Sequence, residues 1–413
     1  MISLELDSSA SLCSDADLFA FGATETAHSE RLQRLENRPC FRLPEQQLDQ
    51  YVKRRGSSDL GRVFHVANGL HEHIDAIVVL GSRRSTLAFE GLMQACCDPY
   101  HNELSRAQRG CKPRVYFAGD GYDNDATASL LERLRAADDE TSQAERRFAI
   151  LIHLDDQAEP AIAALPPFVE CLRRMSPDRT DSWLSRLVVP IVHKGVSVEQ
   201  GCAGIQPKFT FELDRDLRGE SNALSTATLL PAAFLGLDCM KLLEGAVAMN
   251  THFGSAPCQQ NLVRRYESII RCWAAKHPEV IPSIRVWEHS LRSLQQWGGS
   301  LNPHAETNPA QPPCTIHWRV RSHRTDPVIL ADKPGQTYHD QLHWQINRFN
   351  RSMQSSGYPT IDLTLPIIEP YTLGQLIQMT IITADQQAVP HGFADATRTD
   401  SDTATLEERE QVS

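Results

Sequence analysis

The chain has 413 residues, 41% of them hydrophobic, and a formal net charge of -11. That length exceeds a usual single domain and predicts two lobes with separate cores, while the acidic balance disfavours nucleic acid as the main ligand. The N-terminal MISLELDSSASLCSDADLF lacks a basic start followed by an apolar core, and no later stretch is long and apolar enough to span a bilayer. The sequence therefore reads as cytoplasmic, without membrane contact. Eleven cysteines, odd in number and without a CxxC pair, read as reduced structural thiols.

Residues 1–60 are polar, mixed in charge and weakly periodic, which predicts a helical N-terminal extension packed on the first lobe. Apolar, β-rich runs follow: AIVVL (76–80), RVYFAG (114–119), FAILIHL (148–154), LVVPIVH (187–193) and FTFEL (209–213). Helical patterns separate them at 85–97, behind Asp125 as a candidate N-cap residue, and at 160–174, where Pro160 suits a first turn. Continuous apolar strands alternating with helices indicate an α/β lobe whose mainly parallel sheet is flanked by helices. The apolar tract 229–250 predicts one helix linking this lobe to a second. There the pattern repeats, with helix 260–275, strand 279–287, helix 288–297, strand 314–320, helix 337–354, strand 360–366 and a final helix from Leu373. The expected boundaries are 1–60, 61–228, 229–387 and a disordered acidic tail at 388–413; the Gly- and Pro-rich stretch 298–313 reads as a loop.

Ligands of such sheets bind beyond the carboxyl ends of the strands, where helix N-termini favour anions. Gly81-Ser82 follows the first strand, and Ser82 suits either helix capping or an anion's oxygen. Arg83-Arg84 can hold an anion or face solvent. His71-Glu72-His73 places two histidines on one side of an extended segment, but no Cys or Asp at telling spacing completes a metal site, and no metal or cofactor is expected. Asp120, Asp123, Asp125, Asp155 and Asp156 form a candidate acidic rim, suited to a cation, a basic partner or helix capping. No GxSxG, P-loop or full dinucleotide fingerprint is present, which disfavours serine hydrolase, NTPase and Rossmann dehydrogenase readings.

Several segments share features with one family. AIVVLGSRRSTLAFEGL resembles the GIGGSxLGP segment of glucose-6-phosphate isomerases, with Gly81 and Ser82 on its last glycine and serine. FAILIHLDDQAEPAIA is similar, without a gap, to the family's FNVISKSGTTxEPAIA. The run 217–246, with LLPAAFLGLD, resembles the segment that carries the family's Gly-Gly-Arg. PYTLGQLIQM (370–379) resembles the late PYTLGxLI. The resemblance implies two sugar-isomerase-type subdomains, usually a homodimer with sites near the subunit interface. It also implies an aldose-ketose isomerisation of glucose 6-phosphate to fructose 6-phosphate.

Residue by residue, the resemblance carries over unevenly. Where the family has Ser-Gly-Thr-Thr for the phosphate, this chain has Leu154, Asp155, Asp156 and Gln157, followed by Glu159 of the shared Glu-Pro. Ionised carboxylates repel a phosphate and cannot donate to it. Gly-Gly-Arg becomes Arg218, Gly219 and Glu220, which replaces a cation with an anion at a developing oxyanion. LQQWGGSLNP resembles RQLWAESLGK, placing Gly299 at the base glutamate and Pro303 at the lysine. Glu306 is offered as a displaced base and His317 as the ring-opening histidine, each also readable as a structural residue. The leading expectation is a degenerate family member with weak or no isomerase activity. Two alternatives stay open: an isomerase using Arg218, Glu220 and Glu306, with a sugar phosphate as substrate, or a protein for a non-phosphorylated or cationic ligand.

Overall fold

A computed structural model describes residues 2–8, 25–136, 147–175, 181–197, 202, 204–276, 283–301, 315–331, 333 and 335–387. Among these are nine strands: β1 (Glu5–Ser8), β2 (Ile74–Leu80), β3 (Arg114–Ala118), β4 (Arg147–Leu154), β5 (Val188–His193), β6 (Phe211–Leu213), β7 (Ser283–Val286), β8 (Thr315–Ser322) and β9 (Thr360–Ile367). They form two sheets, ordered β3-β2-β4-β5-β6 and β1-β9-β8-β7.

All strand pairs of the five-stranded sheet are parallel. Every residue of β4 is buried, because a central parallel strand is covered on both faces and needs apolar side chains on both. Helices Arg83–Cys96, Asn124–Ala136 and Glu159–Arg174 connect these strands, with Pro160 in a first turn as the sequence implies. The expected N-cap at Asp125 lies just inside its helix instead. Asp123 closes that turn, its carboxylate accepting from the Ala126 amide at 3.0 Å.

In the second sheet β7, β8 and β9 are parallel, and β1 runs antiparallel to β9 with Leu6 opposite Leu363. The N-terminal segment thus differs from the expected helical extension on the first lobe. It is helical at Glu25–Glu36 and Pro39–Arg54, but its first element joins the other lobe. The physical reason is an alternation in the sequence: Ile2, Leu4 and Leu6 are buried or half-buried, whereas Glu5 and Asp7 are exposed. Glu5 forms an ion pair with Arg321 of β8. Helix Pro39–Arg54 in turn packs on both Asp59–Leu70 and Cys239–Ser255, and the Asn250 amide donates to Phe41 O at 2.7 Å.

The linking tract 229–250 is two helices rather than one, Thr226–Phe234 and Cys239–Ser255. Gly236 between them has φ +67°, a left-handed conformation that ends a helix, and the Asp238 carboxylate accepts from the Lys241 amide at 2.9 Å to start the next. Cys239–Ser255 then packs closely on the last helix, Pro370–Gln387. A Cβ added at Gly374 would lie 1.9 Å from Leu242 O, and one at Gly245 would lie 2.0 Å from Tyr371 O. The glycine of the PYTLG motif is therefore a backbone contact that holds the scaffold together.

The adjacent Cys96 and Cys97 are not bonded to each other. Burial pushes the Cys96 and Cys239 thiols up to about 12, which favours their neutral form. Cys272 is disulfide-bonded, which corrects the expectation of uniformly reduced thiols. The expected tail 388–413 and most of the expected loop 298–313 lie outside the described residues; helix Arg292–Ser300 occupies the beginning of the latter.

Candidate active site

Three turns meet at the carboxyl edge of the five-stranded sheet. Gly81 ends β2 in a tight space, where a Cβ would come within 2.9 Å of Ser85 Oγ and 3.1 Å of His153 Cβ. Ser82 caps helix Arg83–Cys96, accepting from the Ser85 amide at 3.3 Å. Its hydroxyl also lies 3.3 Å from Asp155 Oδ2 in the turn after β4. Both side chains are nearly buried, and Asp155 Oδ1 accepts from the Gln157 amide at 2.9 Å, fixing the turn. Asp156 and Gln157 are exposed beside it, and Glu159 begins the next helix.

The third turn is the 3-10 segment Gly219–Asn222. Arg218, just before it, reaches Asp156 Oδ2 at 3.0 Å with both groups exposed. Glu220 is 4% exposed and takes a two-pronged contact from Arg84, Nε to Oε1 at 2.7 Å and Nη2 to Oε2 at 2.8 Å. The planar fork of a guanidinium suits such a contact. Asn222 completes the junction by donating to Ser85 O at 3.0 Å. Gly81, Ser82, Asp155, Asp156, Arg218 and Glu220 therefore lie in one cluster. Arg84, which the sequence left between anion binding and solvent, is the residue that joins the first and third turns.

Helix Arg292–Ser300 of the second lobe closes this corner. Leu294 packs over Gly91, the Ser293 amide donates to Gln94 Oε1 at 2.8 Å, and Arg83 reaches Gln296 Oε1 at 3.0 Å. The Trp297 indole donates to Glu220 O at 2.9 Å. Gly299 thus sits on the helix that meets this corner, and a Cβ there would find nothing within 4 Å. Pro303 and Glu306 lie outside the described residues.

His317 is elsewhere. It is fully buried in β8 and accepts from Trp287 Nε1 at 3.0 Å, with Phe349 edge-on at 5.3 Å between ring centroids. Burial, against the pull of Asp362, lowers its pKa to about 4. The contacts it makes are those of a packed aromatic cluster, and none is with the three turns. His153 is the histidine beside the cluster: it lies under Gly81, near the Ser85 and Ala227 backbone, with burial and His193 holding it down at about 4. Its position at a strand end is visible in the sequence, but nothing there distinguishes it from other histidines. His71 pairs with Glu72 at 3.5 Å while His73 stacks edge-on with Trp183. Those two rings make different local contacts.

No protein-family profile matches the chain. It is 24% identical over 260 residues to the glucose-6-phosphate isomerase of Heliobacterium modesticaldum, covering 62% of this chain and 55% of that one. To that of Caldanaerobacter subterraneus subsp. tengcongensis it is 24% identical over 246 residues, covering 59% and 51%. The chain is thus similar to glucose-6-phosphate isomerases at a divergent level. It spans about half the length of these relatives. Among solved structures, the chain shares its fold with a hypothetical protein of Thermus thermophilus (TM-score 0.71, 17% identity, 99% and 100% of the two chains). A glucose-6-phosphate isomerase of Chlamydia trachomatis aligns with a TM-score of 0.60 at 12% identity, over 98% and 91% of the chains. The α/β architecture of helix-flanked, mainly parallel sheets is that of these neighbours.

Proposed function

We propose that this divergent isomerase relative does not perform the family's aldose-ketose isomerisation and acts instead in a binding or regulatory role. The observation that carries the reading is the mutual neutralisation of the turn cluster. Arg84 is committed to Glu220 and Arg218 to Asp156, so the two guanidinium groups are spent on carboxylates. A phosphate placed on the turn after β4 would face Asp155 and Asp156, at a cost of about 4 kcal/mol per pair of unit charges 4 Å apart near a protein surface. Gly299 offers no proton acceptor, and the contacts of His317 lie in the core of the other lobe.

The family resemblance carries a homodimer and a cytoplasmic location as further proposals; no described helix is long and apolar enough to cross a membrane.

One observation favours a second reading, an isomerase with substitute groups. Arg84 lies against Gly219 and Glu220, with a Cβ on Gly219 only 3.5 Å from its side chain, so a cation is present at the corner although the family's own arginine position holds Glu220. Arg218, Glu220 and Glu306 would then share the remaining roles. Calorimetric titration with inorganic phosphate and with glucose 6-phosphate separates the two. The first reading expects no saturable heat up to about 1 mM ligand, weaker than about -4 kcal/mol. Micromolar binding that disappears in Arg218→Ala would overturn it.

A further inference from the structure

Helix Tyr338–Ser355 is the crossover between the parallel strands β8 and β9, and of its 18 residues only Ile346 is buried. Most helices are held in place by burying an apolar face, and this one buries almost none. Its attachment to the second sheet rests instead on polar and aromatic side chains at the junction.

Those side chains form a row from the interior to the surface. The Asn350 amide of the helix donates to both oxygens of Asp362 in β9, at 3.2 and 3.1 Å, and Asp362 also pairs with Arg319 of β8. Arg319 Nη2 donates to His343 Nδ1 at 3.1 Å. His343 meets His339 edge-on, 4.2 Å between ring centroids, and His339 Nδ1 is hydrogen-bonded to Nε2 of His323, just beyond β8.

Two of these contacts require uncharged imidazole. A guanidinium can only donate, so His343 Nδ1 must be without a proton to accept from Arg319. One proton serves the bond between His323 and His339; a second would set two donors, and two positive charges, against each other. Burial, then His339 and Arg319, hold His343 below its usual range, and burial with His339 does the same to His323. A histidine lowered in this way contributes stability that is complete above its unfolded value of 6.5 and is lost as pH falls through its folded value.

The other charged groups around the row do not reverse this direction. Arg285 of β7, over the Trp287 and Phe349 rings, adds a cation beside the buried His317. Asp340 favours charge on His339 and His343, but its carboxylate is held by the Thr337 hydroxyl at 2.8 Å. Glu288 accepts from the Val320 amide at 3.2 Å, a bond in which the helix takes no part, and burial raises its carboxyl. That rise acts in the opposite sense, favouring the folded form in acid, within the sheet rather than at the helix.

We propose that acidification from about pH 7 to about pH 5 releases helix Tyr338–Ser355 from the second sheet, with His323, His339 and His343 as the trigger. The inference uses none of the residues of the turn cluster and is independent of its activity.

The test is hydrogen exchange of the full chain at about pH 7 and about pH 5, corrected for the intrinsic pH dependence of exchange. The reference is β4, every residue of which is buried. On acidification residues 338–355 should lose about tenfold more protection than β4, the change that one pKa unit of differential proton affinity produces. The double variant His339→Gln with His343→Gln, uncharged at both pH values, should show no such difference. His323 is exposed, so His323→Gln keeps the test valid if the double variant fails to fold; it should shrink the difference at least about twofold. The proposal is overturned if the helix and β4 lose protection together, or if the helix is equally protected at both pH values. It is equally overturned if the folded variants keep the full pH dependence.

Discussion

Arg84 and Glu220 form an ion pair whose two ends sit in different surroundings, with side-chain exposures of 59% and 6%. Removing the exposed end strands a buried carboxylate, whereas removing the buried end returns a guanidinium to water. Arg84→Ala is therefore expected to cost about 2 kcal/mol and Glu220→Ala distinctly less per charge removed, about 1 kcal/mol. Urea denaturation of the two variants and the double variant measures the difference; equal costs would mean that Glu220 is solvated. The histidines set the acid side of stability. His153 and His317 both have folded pKa values lowered from 6.5 to about 4 by burial. A base so lowered binds fewer protons folded than unfolded, so its contribution is complete above pH 6.5 and is lost as pH falls towards 4. For His153 the full span corresponds to at most about 3.5 kcal/mol, from about 1.4 kcal/mol per pKa unit. Melts at about pH 7 and about pH 5 should show the loss, and His153→Gln should flatten the slope.

At the scale of elements, helix Arg292–Ser300 carries two adjacent glycines with opposite surroundings. A Cβ on Gly298 would meet the buried Trp318 ring at 2.9 Å and Ile284 at 3.1 Å, whereas Gly299 has open space. Gly299→Ala is expected to stabilise the protein by about 0.5–1 kcal/mol through helix propensity, and Gly298→Ala to destabilise it by about 1–3 kcal/mol through overpacking. Thermal midpoints of the two variants check the sign. The same contrast shows what the sequence could and could not convey. Strand and helix order was legible because parallel strands such as β4 need unbroken apolar runs, and the helices between them carry a period of about 3.6 residues. The break at Gly236 and Asp238 was hidden inside a strongly apolar tract, although its turn residues were in plain sight. The cap at Asp123 was one acidic residue among several in the same turn.

Across the whole molecule, the two sheets share one continuous core and are tied together by more than a linking helix. The N-terminal strand adds an edge to the second sheet, helix Pro39–Arg54 bridges to Cys239–Ser255, and helix Arg292–Ser300 seals the turn cluster of the first lobe. These long-range pairings leave no periodicity in a sequence, which is why the sequence points the N-terminal segment to the first lobe alone. The candidate site was legible in part: motif positions brought Ser82, Asp155 and Glu220 together. The partner that neutralises Glu220, Arg84, becomes visible only once the turns meet. Among the described residues the assembled cluster lacks an uncommitted cation, a base at Gly299 and a histidine within its turns other than the core residue His153. The direct test is turnover of glucose 6-phosphate to fructose 6-phosphate by the purified full chain, alongside Arg84→Ala and Arg218→Ala. No formation above the enzyme-free rate is expected in any of the three proteins. Robust turnover by the unmodified chain, abolished in either arginine variant, would contradict the proposed loss of isomerase activity.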